Sequence, residues 1–290
     1  MRHTIRALFL FTIAGALLSP ITTSAQQNPD RYIERARQWI AEGSYDDAAR
    51  QLKRALEINP DSAEANLLLA KVFQHKGQTD VAIKYAEEAL KHKPDYAEAH
   101  NLLARLFLDK GDSEAALREV DAAIALGISS ADIHTLKARI YTLKATLLVK
   151  KKLYADAIES LEQALNLAES EETTHIRRYI EDLKTYSESV EKSLEASSAD
   201  PTVQRPLPLN RPRPAYTEEA RGNKIQGSIH LVARIDEQGE VTNVLLLWGL
   251  GYGLDEEAER AVRQMKFSPA VRDGKPIPFW VSIEMEFNLR

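Results

Sequence analysis

The sequence predicts a multidomain chain: an all-α solenoid of helical repeats followed by a small two-layer α+β domain. Three observations predict it. Residue types recur at a 34-residue interval through the first half, a proline-rich basic stretch interrupts the chain just after residue 200, and residues 279–289 alternate between apolar and polar. The chain has 290 residues, 44% of them apolar. At about 100–200 residues per domain that length fits two domains, each able to bury a core. A net charge of −5 is too mild to point to nucleic acid. No cysteine is present, which excludes disulfides, thiolate metal sites, a thiol nucleophile and a lipidated cysteine.

The first residues carry an address. Arg2 and Arg6 make a basic start, an apolar run follows from Ala7 to Leu18, and Pro20 breaks it. Thr23-Ser24-Ala25 places small residues at −3 and −1 before Gln26. This is the layout of a secretory signal peptide over 1–25, cleaved between Ala25 and Gln26. A membrane-spanning helix needs about 20 apolar residues, more than this run supplies. The expected location is the periplasm, with an inner-membrane anchor as the alternative.

Gly43, Gly77 and Gly111 are 34 residues apart, as are Ala48, Ala82 and Ala116, and then Ala55, Ala89 and Ala123. Pro60 and Pro94 keep the interval. In each unit two amphipathic helices flank the glycine, one carrying Leu67, Leu69, Ala70 and Phe73, the next Ala82, Ile83, Ala86, Ala89 and Leu90. Small alanines let the two helices approach, the glycine turns the chain, and the proline ends the second helix. The stretch Gly77-Gln78-Thr79-Asp80-Val81-Ala82-Ile83, with Ala89-Leu90 and Pro94-Asp95, resembles the tetratricopeptide repeat (TPR) family. A fourth unit starts at Ala131, but its second helix resumes at Lys152, seven residues late, so its first helix is expected to be about two turns longer. After Ser170 a charged helix carries Ile176, Ile180, Leu183, Tyr186 and Val190 at near-heptad spacing. It is read as a cap with a polar outer face, completing an array over 29–195.

A charge ladder runs through the array. The second residue of each unit is Asp30, Glu64, Glu98 or Asp132, and the ninth is Arg37, Lys71, Arg105 or Arg139. In TPR proteins these positions line the concave groove, which is what the resemblance implies here. Two readings stand. Bases of one unit pair with acids of the next, contributing about 0–1 kcal/mol each; or the four bases form a rail for an acidic or C-terminal peptide. Asn101, the fifth residue of its unit, is suited to hold a carboxylate, and Leu67 and Leu108 suit a partly apolar peptide.

Residues 196–214 hold Pro201, Pro206, Pro208, Pro212 and Pro214 with Arg205, Arg211 and Arg213. Proline at that density gives an extended, semi-rigid linker. A new domain then spans 215–290. Thr217-Glu218-Glu219 caps a short helix, and residues 226–235 and 240–248 read as a hairpin turning at Asp236-Glu237-Gln238-Gly239. Residues 255–266 read as a helix with Ala258, Ala261, Val262 and Met265 inward. In the last strand Phe279, Val281, Ile283, Met285, Phe287 and Leu289 share one face, while Ser282, Glu284, Glu286 and Asn288 share the other.

Tyr216, Ile225-Gln226-Gly227, Ile235-Asp236, Gly239, Leu254-Asp255, Pro269-Ala270, Gly274-Lys275-Pro276 and Trp280-Val281 resemble the TonB C-terminal domain. Thr217 departs from the usual Tyr-Pro pair, and Trp248–Gly253 replaces the usual Ser-Ser-Gly. The resemblance implies that the last strand offers its edge to an extended partner segment. Phe279, Trp280, Val281, Ser282, Ile283 and Glu284 would form that edge, with Arg213 and Pro214 beside it. An open edge has unpaired N–H and C=O groups that such a segment satisfies.

Gly249-Leu250-Gly251-Tyr252-Gly253 lies where a dinucleotide loop would lie, but the third glycine of that fingerprint falls on Leu254. The seven histidines form no His-x₃-His pair, and no Gly-x-Ser-x-Gly occurs. The sequence therefore leads one to expect no enzyme, no catalytic or metal-ligating residue, no cofactor, no small-molecule substrate and no nucleic-acid partner. The expected role is an adaptor: the groove holds one envelope protein or peptide and the sheet edge another, an outer-membrane protein among the candidates, in transport or envelope assembly. The alternatives are a membrane-anchored energy transducer of the TonB type and a structural homo-oligomer such as a homodimer. The transducer needs a spacer across the periplasm, whereas the proline-rich stretch reaches at most ~45–50 Å.

Overall fold

The computed structural model describes residues 28–168, 170–194 and 200–289. The expected cleavage site at Ala25 and Gln26 lies outside them. The chain forms two compact units, one ending at His92 and the other beginning at Lys93.

The first unit holds α1 (Pro29–Ala41), α2 (Tyr45–Ile58), α3 (Ala63–His75) and α4 (Thr79–His92). The glycine interval has a backbone cause. Gly43 and Gly77 sit at φ of +74° and +70°, in the left-handed region. There the Ser44 N–H donates to the Trp39 carbonyl (2.8 Å) and the Gln78 N–H to the Phe73 carbonyl (2.9 Å). Each turn thus satisfies carbonyls that a helix end leaves open. Ala48, Ala55, Ala82 and Ala89 are fully buried, as close helix approach requires. Ile33, Leu52, Leu69 and Val72 fill the core between the helices.

The second unit opens with α5 (Ala97–Asp109), α6 (Ser113–Ala125), α7 (Ala131–Lys150), α8 (Tyr154–Leu167) and α9 (Ser170–Thr185). Gly111 repeats the left-handed turn at φ +78°. The fourth unit's longer first helix is α7, at 20 residues against 13 for α5. Helix α9 runs on through one π-helical turn, Tyr186–Val190. Its heptad residues Ile176, Ile180, Leu183, Tyr186 and Val190 are buried, packed with Ala157, Leu161 and Ala164 of α8.

Two sheets and two helices follow. β2 (Gly227–Ile235), β3 (Val241–Trp248) and β6 (Phe279–Phe287) form an antiparallel sheet of order β3-β2-β6. β1 (Val203–Gln204), β4 (Ala270–Arg272) and β5 (Lys275–Ile277) form a smaller one of order β1-β4-β5. Between them in sequence lie α10 (Glu218–Gly222) and α11 (Leu254–Arg263). Ala258, Val262 and Met265 pack with Ile229, Leu231, Ala233 and Ile235 in one core.

Two findings differ from the sequence reading. The proline-rich stretch is extended but is not a free spacer. Val203 and Gln204 pair with Arg272 and Val271, the Leu207 N–H donates to Ser268 Oγ (2.9 Å), and the Leu209 N–H donates to the Lys266 carbonyl (2.7 Å). Proline removes its own N–H donor, but the non-proline residues between keep theirs and find acceptors. The cap helix likewise lacks a wholly solvated outer face. Tyr179 is 2% exposed and belongs to the same buried core as Val232, Leu245 and Leu247 of the sheet.

Candidate partner-binding site

The ladder residues divide between the units: Arg37 and Lys71 in the first, Asn101, Arg105 and Arg139 in the second. Arg37 hydrogen-bonds Glu64, so this base pairs with the acid of the following repeat. Both side chains are about half exposed, at 50% and 42%, so the pair contributes no more than about 1 kcal/mol. Arg105 and Arg139 converge on Asp109, where burial pushes the carboxyl pKa up and the two arginines pull it back. Arg139 also lies over the Tyr252 ring, 5.4 Å from its centroid. Asn101 Oδ1 is a buried atom with no hydrogen-bond partner among the described residues. An unsatisfied acceptor suits a peptide N–H donor; with the amide turned over, the same side chain would donate to a carboxylate. Leu67 is 1% exposed and belongs to the core, which corrects its placement in the groove. It was read from repeat position alone, which does not distinguish a groove wall from the layer beneath it.

At the sheet, β6 is the terminal strand, paired among the described residues only to β2, with Ile283 opposite Leu231 and Glu284 opposite His230. Val281, Ile283 and Met285 are half-buried on the core side, and Ser282, Glu284 and Glu286 are exposed on the other. Phe279 is buried against Val203 and Ala270 of the smaller sheet, and Trp280 is half-buried. His230 stacks on Trp248 (4.1 Å between centroids), and its Nε2 lies 2.7 Å from Ser282 Oγ. Burial holds the His230 pKa down, with the Glu284 charge opposing. Tyr216 donates its hydroxyl proton to the Ile225 carbonyl and sets its ring edge-on to Phe287 at 5.9 Å. This fixes the chain just after Arg213 and Pro214 near the Phe287 end of β6.

The opposite edge of the sheet is covered by α9 at Leu246 and Leu247. The Tyr179 hydroxyl of α9 donates to the Leu247 carbonyl (2.5 Å), and the Leu246 N–H donates to Asp182 Oδ2 (3.0 Å). Burial pushes Asp182 up to about 6, with the Leu246 N–H and Arg178 pulling the other way. His175 lies 3.2 Å from both Asp255 and Glu256, and Arg178 pairs with Glu259. Burial lowers the His175 pKa, but hydrogen bonds and charge from the two carboxylates outweigh it and raise it to about 10. The sequence reading missed these four residues. Their signal was present as spacing: His175, Arg178, Tyr179 and Asp182 recur at i, i+3, i+4 and i+7 on one stripe of α9.

Asp255 also explains the glycine-rich loop. Its carboxylate accepts from the Leu250 N–H (2.8 Å) and the Gly251 N–H (3.1 Å), so those amides are occupied. A Cβ at Gly249 would fall 2.3 Å from that carboxylate. The two departures from the TonB pattern meet here: Thr217 Oγ1 accepts from the Ala220 N–H (3.1 Å) and donates to the Tyr252 carbonyl (2.6 Å). Tyr252 and Trp248 in turn face Arg139 and Lys150 of α7.

Helical repeats whose last helix covers part of one edge of a small sheet, with the other edge unpaired among the described residues, are the architecture of a protein-interaction molecule. The chain carries tetratricopeptide repeats, matched over residues 40–84, 73–140 and 138–171, and a domain of the family "Gram-negative bacterial TonB protein C-terminal", matched over 212–289. Together these modules indicate protein–protein interaction in the Gram-negative envelope. Among curated relatives, protein TonB of Vibrio cholerae is 35% identical over 78 residues, 27% of this chain. The type IV pilus assembly protein PilF of Pseudomonas aeruginosa is 37% identical over 82 residues, 24% of this chain. The chain spans 32% of the length of each. Among solved structures, MamA from Desulfovibrio magneticus RS-1 is 19% identical with a TM-score of 0.43, covering 60% of this chain and 98% of that one. The Pseudomonas aeruginosa PilF structure is 23% identical with a TM-score of 0.37, covering 56% and 70%. No helix among the described residues is long and apolar enough to cross a membrane.

Proposed function

We propose that this chain is a non-enzymatic adaptor of the periplasm, with the repeat groove holding one envelope protein and the β6 edge holding an extended segment of another. The observation that carries the reading is the asymmetry of the sheet. On the β3 edge the Leu247 carbonyl and the Leu246 N–H are taken by Tyr179 and Asp182, while β6 pairs on one side only among the described residues. An unpaired edge in an otherwise well-satisfied domain is a docking surface for a strand. Two surfaces on one chain raise the effective concentration of the second binding event. The basic start, the apolar run from Ala7 to Leu18 and the small residues before Gln26 support export to the periplasm.

In-cell photo-crosslinking from a photoreactive residue at Ser282 or at Asn101 tests the two surfaces separately. Each position should capture a discrete protein, and Arg105→Glu with Arg139→Glu, both in the unit that holds Asn101, should weaken capture from Asn101 alone. Equal, unspecific capture from both positions and from an exposed helix position such as Glu57 would overturn the adaptor reading. A mature N-terminus at Gln26, read by mass spectrometry of the envelope fraction, is the expected result for location; a retained Met1 would favour the anchored alternative.

A further inference from the structure

We propose that the β6 edge selects a partner segment in which apolar residues alternate with basic ones. The inference rests on the strand-addition reading above and names the partner's chemistry. A strand laid beside β6, in either direction, sends successive side chains to opposite faces of the sheet. On one face its neighbours are Val281, Ile283 and Met285, half-buried because no strand among the described residues lies beyond them to complete the layer over Leu231 and the α11 residues. Apolar side chains at every second position of the partner would complete that layer.

On the other face the neighbours are Ser282, Glu284 and Glu286, all exposed. Glu284 and Glu286 make no ion pair among the described residues. On β2, Glu286 lies opposite Ser228 and Glu284 opposite His230, while the fixed cation of that face, Arg234, lies opposite Trp280, four residues along from His230. The His230 ring is engaged with Ser282 and Trp248, and its burial favours the neutral form. Two uncompensated carboxylates two residues apart therefore face the space that an added strand would fill. Directly opposed charges of opposite sign stabilise strand pairing, and like charges oppose it. Lysine or arginine at the intervening positions fits this face, and glutamate or aspartate does not.

A second copy of the chain is a poorer occupant. Antiparallel pairing of two β6 strands about Ile283 would set Glu284 against Ser282 and Glu286 against Trp280, with no cation on either side.

The test titrates the full chain, at low salt, with three nine-residue peptides: alternating valine and lysine, alternating valine and glutamate, and the valine–lysine composition in two blocks. Fluorescence anisotropy gives affinity, and hydrogen exchange across residues 279–287 gives location. The alternating valine–lysine peptide should bind roughly tenfold tighter than either other peptide and should protect β6. Glu284→Lys with Glu286→Lys should reverse the preference between the lysine and glutamate peptides. Glu284→Gln with Glu286→Gln should erase it; both residues are exposed, so either pair should fold. If lysine and glutamate peptides bind equally and both protect β6, the charge rule is wrong while the docking edge stands. If the two lysine peptides bind equally, the alternation is wrong. If no peptide protects β6, or a dimer through β6 excludes them all, the docking edge itself is refuted.

Discussion

Deprotonating His175 should loosen the contact between α9 and α11. The perturbation is a pH titration from 6 to 10, run on the chain and on His175→Gln. In the folded protein His175 is held at about 10 against an ordinary value of 6.5, because hydrogen bonds and charge from Asp255 and Glu256 outweigh its burial. A histidine with a raised pKa contributes stability that is complete below pH 6.5 and lost as pH climbs through 10. At about 1.4 kcal/mol per unit, the full contribution is about 3–5 kcal/mol. Removing one partner of a buried ion pair gives a similar cost, about 3–5 kcal/mol. Asp255 keeps its two amide donors when the imidazole is gone, so the loss should lie in the lower half of that range. Urea unfolding followed by tryptophan fluorescence, with Trp248 and Trp280 in this unit, reads the difference. The parent chain should lose stability steadily between pH 6.5 and 10, and His175→Gln should start lower and stay flat. Parallel loss in the two proteins would show that the imidazole is not coupled to folding.

Other outcomes follow from the same geometry. Asp182 is raised to about 6 by burial, so its charge opposes folding once pH rises from 3.8 through 6. Asp182→Asn, which keeps an acceptor for the Leu246 N–H, should gain about 1–2 kcal/mol at pH 8 and nothing at pH 3.5; a loss at pH 8 would contradict this. Gly249→Ala should cost about 1–3 kcal/mol in thermal unfolding, since its methyl meets the Asp255 carboxylate; an unchanged Tm would contradict the loop geometry. Arg37→Ala should cost under about 1 kcal/mol, because its partner Glu64 is exposed; a larger loss would make that rung structural.

The repeats were legible because their signals are local and steric. A left-handed turn admits glycine most readily, so Gly43, Gly77 and Gly111 mark the turns. Closely approaching helices require alanine, so Ala48, Ala82 and Ala116 mark the contacts. The last strand was legible because an edge strand with one buried face enforces a period of two. Three features were hidden for physical reasons. The inner face of α9 is built from His175, Arg178, Tyr179 and Asp182, which a search for apolar periodicity passes over. The proline-rich stretch docks through backbone groups, and side-chain composition does not report those bonds. Leu67 occupies a groove position in the repeat count yet is buried, because its depth depends on neighbours that the count does not include.

Hydrogen exchange on the isolated full chain, resolved to single amides, puts the open-edge claim to its most direct test. Alternate amides between Ser282 and Phe287, those turned away from β2, should exchange on the timescale of exposed peptide, while the Leu246 amide stays protected by Asp182. An outward set on β6 as protected as Leu246, or a Leu246 amide as fast as that set, would contradict the account.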